Sequence, residues 1–182
     1  MNARSRRHTI FFALLLLGSS AHTGADAGPR GAELLAPFKT QLKQALLGSL
    51  QEGPVNAVTA CRIEAPKIAA ALSVEGIKMG RASHRLRNPL NIAPDWVDEI
   101  LQDYIAAGSA WEPRRLQLGD DREGYVEPIV MAPLCLACHG DNLAADVQAR
   151  IDELYPHDEA TGFEADQLRG VFWVEYPRAV AD

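Results

Sequence analysis

Sulfur is scarce in this chain: 182 residues hold three cysteines and three methionines. So few thiols exclude a disulfide-dense scaffold. Long apolar runs are missing too, since the longest, Ile10 to Leu17, falls well short of the roughly 20 residues that span a bilayer. Basic residues are outnumbered, 18 against 24 acidic, for a net charge of -6. An acidic body does not suit nucleic acid or anionic lipid, which draw basic patches. Internal repeats and low-complexity tracts are absent, so the chain reads as one domain behind a short leader.

The leader is residues 1–27. Arg4, Arg6 and Arg7 precede the Ile10 to Leu17 run, and small and polar residues follow it, which is the order of a secretory signal peptide. Ala25 and Ala27 place cleavage before Gly28, with Ala21 as an alternative. The remaining residues 28–182 carry a net charge of about -8 and are numerous enough for one domain with its own core. The expectation is a soluble, exported, periplasmic protein with no retained membrane span and no nucleic-acid partner.

Leu34, Phe38, Leu42, Leu46 and Leu50 recur at every fourth residue and predict an amphipathic helix, broken at Gly53 and Pro54. Val58, Cys61, Ala65, Ile68 and Leu72 predict a second helix ending near Gly76, with Cys61 inward and Pro66 kinking it. "IKMGRASHRLR" reads as a strand, "NPLNIAP" as a loop, and "DWVDEILQDYIAAG" as a third helix opened by Pro94 and closed by Gly108, with Val97, Ile100, Leu101 and Tyr104 inward. Apolar-rich runs at residues 116–118 and 125–130 flank "GDDREG" and predict a hairpin. Leu143, Val147, Ile151 and Leu154 share a face of another helix, capped by Asp141, and "LRGVFWVEYP" forms a last strand. That order favours an α+β fold, a small antiparallel sheet flanked by helices.

The densest chemistry lies in "APLCLACHGD", residues 132–141. Cys135 and Cys138 are three apart and His139 follows directly, the spacing of covalent haem c attachment: two thiols for the two vinyl groups, then an imidazole held at the iron. Chance produces such a triplet in about one chain in a thousand of this cysteine content. A structural disulfide or a redox-active pair is the plainer reading. Zinc needs more ligands, and only Cys61, His84 and His157 remain beyond the leader.

No methionine follows His139, so the chain departs from ordinary single-haem cytochromes, which place the motif early and a methionine ligand downstream. Candidates for the second axial position are Cys61, Met79, Met131, His84 and His157, or none. Met131 lies only four residues before Cys135, and Met79 reads as core; the two histidines have polar neighbours. Cys61 is unpaired once the other two thiols carry haem, although a buried inert thiol is its ordinary role.

The stretches "ACRIEAPKIA", "MGRASHRLRNPLN", "CLACHG", "YPHDEATGF" and "LRGVF", from Ala60 to Phe172, carry a resemblance. The chain resembles a haem-c-binding family of exported bacterial proteins, cyanobacterial ones among them, and of histidine-kinase sensor regions. The resemblance implies a PAS-like fold and one haem c held by His139 and, from the other side, by Cys61. Ala82 stands where threonine is expected and Trp173 is bulkier than expected, departures that touch the pocket wall rather than the ligands. Arg81, Arg85 and Arg87 alternate on the predicted strand and face one side, where Arg81 first and Arg85 next are candidates for the haem propionates. Solvated surface arginines are the plainer alternative.

The function expected is a periplasmic redox or small-ligand sensor with a small gas as ligand and a redox or signalling protein as partner. An electron-transfer cytochrome is the alternative. No catalytic residues are expected, because no clear distal acid and base pair stands out, His84 with Arg81 or Arg85 being the nearest to one.

Overall fold

Alternate residues of a strand face opposite sides of a sheet, and the last strand of this chain separates two cores in that way. The computed structural model describes residues 30–178; the signal-peptide reading of residues 1–27 lies outside the described residues. The helices are α1 (Arg30–Gln51), α2 (Pro54–Leu72), α3 (Asp95–Ala107), α4 (Leu136–His139) and α5 (Ala145–Leu154). The strands are β1 (Lys78–Ala82), β2 (Arg114–Gln117), β3 (Arg122–Val130) and β4 (Leu168–Pro177), in one antiparallel sheet of order β1-β4-β3-β2. The predicted PAS-like α+β architecture is therefore the one observed.

On one face of the sheet Val171 of β4, Ala82 of β1 and Val126 of β3 pack against Val97, Ile100, Leu101 and Tyr104 of α3. All four of those α3 residues were expected inward, and Gly108 caps the helix with φ 71, a left-handed conformation that glycine adopts without strain. On the other face Val174 and Tyr176 of β4, Met79 of β1 and Tyr125 of β3 meet Leu35 and Phe38 of α1. A third cluster joins Val58 of α2 to Val147 and Ile151 of α5. Leu46 and Leu50, at the far end of the α1 stripe, stay half-buried because they border a cavity instead of the sheet.

Two expectations are corrected. The strand through "IKMGRASHRLR" stops at Ala82, because the Ser83 hydroxyl donates to the carbonyls of Arg85 and Arg169 at 2.9 and 2.7 Å and accepts the Arg85 amide at 3.1 Å, turning the chain away. Arg85 and Arg87 thus leave the sheet, and alternation does not place them with Arg81. The helix after the cysteine motif begins at Ala145 rather than at an Asp141 cap; Asp146 Oδ1 accepts the Val147 amide at 2.9 Å within its first turn. α2 continues through Pro66, whose missing amide leaves the Arg62 carbonyl without its helical partner.

Candidate functional site

A cavity of about 410 Å³ opens between α2, β1, the end of β3 and the cysteine segment, within the range of cofactor pockets. Cys61, Cys135, Cys138, His139 and Arg81 all line it, and its remaining wall is largely apolar. The three thiols are free. Among the described residues no three Cys, His, Asp or Glu side chains converge as a bare metal site requires. The sulfurs and the imidazole instead share one cavity. The residues therefore fit a haem on donor chemistry and on the apolar lining.

Each donor is fixed by its own element. Cys61 rides on α2, and α2 is clamped to α5: Arg150 donates through Nε and Nη2 to Thr59 Oγ1 at 3.1 and 3.0 Å, and Arg62 Nη1 donates to the Leu154 carbonyl at 2.9 Å. Burial pushes the Cys61 thiol pKa up, while Arg81 and Arg87 pull it back down. Cys135 ends a single 3-10 turn (Pro133–Cys135), and the four-residue α4 carries Cys138 and His139.

His139 is held by the loop at residues 158–163. Its Nδ1 lies 2.6 Å from the Ala160 carbonyl; a carbonyl can only accept, so the proton sits on Nδ1 and Nε2 keeps its lone pair. Phe163 and Gly162 donate their amides to the carbonyls of His139 and Gly140 at 2.9 and 2.8 Å. Burial, with Arg169 and Arg87 nearby, pushes the imidazole pKa down to about 2, so the ring is neutral and available as a ligand.

Arg87 locks this cradle. It forms a two-pronged pair with Asp158 at 2.9 and 3.1 Å and donates to the Cys138 carbonyl at 2.6 Å, and the pair is nearly enclosed, 11% and 7% exposed. Asp158 Oδ1 also accepts the Ala160 amide at 3.1 Å. Asp158, Ala160 and Phe163 are thus positioning residues that sequence reading left as loop, although "YPHDEATGF" carried their signal.

Of the arginines expected at the ligand, Arg81 lines the cavity and makes no ion pair or side-chain hydrogen bond among the described residues. Burial lowers its pKa and the neighbouring Cys61 raises it. Arg85 does not line the cavity: its guanidinium donates to the carbonyls of Glu159, Thr161 and Gly162 and lies 4.2 Å from the Phe163 ring centroid. Arg169, which sequence reading missed, lines the cavity instead. A register shift in the β3 and β4 pairing leaves it without a cross-strand partner, so Leu168 faces α3 and Arg169 faces the cavity. Burial, with Arg81 and Arg87 beside it, lowers Arg169 to about 10.

Met79 and Met131 also border the cavity, whereas His84 and His157 do not. Met79 packs on Leu35 and Phe38, and Met131 packs behind the cysteines against Ala160 and Phe163. Trp173 is accommodated opposite Gly80, where a Cβ would lie 3.0 Å from the indole. Among the described residues no helix is long and apolar enough to cross a membrane.

Comparison with known proteins gives one solved structure, described as the cyanobacterial heme-protein Tll0287. It is 24% identical, with a TM-score of 0.60 over 86% of this chain and 100% of the other. No curated protein matches. The model of the Tll0287-like family matches residues 27–177, nearly all of the chain. This chain belongs to the Tll0287-like family.

Proposed function

We propose that the protein is an exported single-haem c-type protein with His139 and Cys61 as axial ligands, acting as a redox or small-ligand sensor. One observation carries the reading: Cys135, Cys138, His139, Cys61 and Arg81, which has no ion-pair partner among the described residues, line a single largely apolar cavity. The Tll0287 structure, a heme-protein by its description, shares the fold. When bound, the haem supplies a one-electron iron couple.

The chain's own residues set the terms of that couple. Cys135 and Cys138 would anchor the macrocycle through thioethers, and His139 would offer Nε2, because the Ala160 carbonyl holds the proton on Nδ1. Cys61 would be the second protein ligand; as thiolate it would favour the ferric state, and as thiol it would bind more weakly and leave room for a small gas. Burial holds the Cys61 thiol pKa above its ordinary value, and Arg81 and Arg87 offset part of that rise. Because α2 is clamped to α5, a change at Cys61 is felt by the helix that follows the motif. The output passes to a redox or signalling protein.

Electron transfer is the second reading, and one contact favours it. Phe163 lies edge-on to both His139 and the exposed His84, at centroid distances of 6.4 and 6.0 Å, which gives the half-buried imidazole an aromatic route to the surface.

The test is the absorption spectrum of the exported protein, ferric and ferrous, with and without CO, beside Cys61→Ala. The variant is expected to lose the low-spin thiolate spectrum, and an unchanged spectrum removes Cys61 from the ligand set. Rapid CO binding to the ferrous wild type supports sensing, whereas persistent six-coordination supports transfer. A pyridine-haemochrome assay without covalent haem overturns the whole reading.

A further inference from the structure

We propose that Arg169 joins Arg81 as a second cation of the cavity, and that the pair takes the two propionate carboxylates of the ligand, so that the pocket selects a dicarboxylate tetrapyrrole. This deepens the haem c reading and rests on it.

Four arginines gather around the cavity, and two are already satisfied. Arg87 is neutralised by Asp158, and Arg85 faces away onto carbonyls and Phe163. Arg81 has no partner among the described residues. The contacts of Arg169 are all neutral: Nη1 donates to Ser83 Oγ at 2.6 Å and to the Arg85 carbonyl at 3.2 Å, and the guanidinium stands 5.2 Å from the Phe163 centroid. Among the described residues none that lines the cavity is acidic.

Two guanidiniums in a largely apolar wall without a carboxylate leave two positive charges uncompensated. Such charges are costly where solvent is sparse, and each raises the cost of the other. A ligand with one carboxylate offsets half of this; one with two offsets all of it. The planar fork of each guanidinium suits a carboxylate in two-pronged contact. The register shift that turns Arg169 inward is what brings the second cation to the cavity.

The test compares iron(III) protoporphyrin IX with its dimethyl ester, titrated by Soret absorbance into the full chain made in a host without haem-attachment machinery. Wild type is expected to prefer the free diacid about a hundredfold, about tenfold for each charge-assisted pair. Arg169→Gln and Arg81→Gln each reduce the preference to about tenfold, and Arg169→Lys retains part of it. Arg169 also pins the turn at residues 83–85, and Ser83→Ala separates that role: it removes the hydroxyl contact, keeps the charge, and is expected to keep the preference. Equal affinity of wild type for diacid and ester overturns the pairing while leaving haem binding intact. Binding of neither porphyrin overturns the haem reading and this inference with it. The wild-type comparison decides the point even if a variant fails to fold.

Discussion

Asp158 shows how much rests on a single side chain here. It compensates Arg87 and fixes the Ala160 amide whose carbonyl orients His139. Asp158→Ala is expected to cost about 3 kcal/mol, the low end for breaking a mostly buried pair, as read from urea denaturation of the loaded protein. Gly80→Val drives a side chain into the Trp173 indole; a loss of about 1–3 kcal/mol and a red-shifted tryptophan emission are expected. At this scale what can be compared is placement: Cys135, Cys138 and His139, singled out by spacing, and Cys61 and Arg81, singled out by resemblance, all line one cavity. Arg85 was misplaced because a hydroxyl turn at Ser83 ends the strand, and Arg169 was hidden because a register shift reverses the alternation that strand reading assumes.

The elements follow their periodicity closely, and the exceptions are informative. α3 is fixed by proline before it and glycine after it, and its inward face is the one its spacing predicts. α5 starts later than its apolar stripe implies, since Leu143 packs from the preceding loop without being helical. The clamp between α2 and α5 was not legible at all, because Thr59 and Arg150 are ordinary surface types that only the fold brings together. Thr59→Val removes both contacts and is expected to lower stability by about 1 kcal/mol, checked by thermal melting. The far end of α1 meets a cavity where a core would otherwise be, so its packing depends on an occupant. Backbone amides of residues 46–51 are expected to exchange at least about tenfold faster in the haem-free chain than in the loaded one, measured by hydrogen exchange and mass spectrometry.

Across the molecule, an acidic chain encloses a basic cavity. The net charge is -6, yet the cavity wall holds Arg81, Arg87 and Arg169 and no carboxylate. That inversion explains why composition excluded polyanionic partners and gave no hint of the site's own polarity. Filling the cavity adds apolar contact and counter-charge together, so the haem-free chain is expected to melt about 10 °C or more below the loaded one by calorimetry. The strand order carries one more consequence, in the timing of assembly. Among the described residues β1 and β3 are not neighbours in the sheet; both pair with β4, the last described strand. The cysteine segment therefore precedes, in chain order, the strand that joins the two halves of the sheet. Arg169, Phe172 and Trp173 reach the cavity from that strand, so closing the sheet and completing that wall are one event.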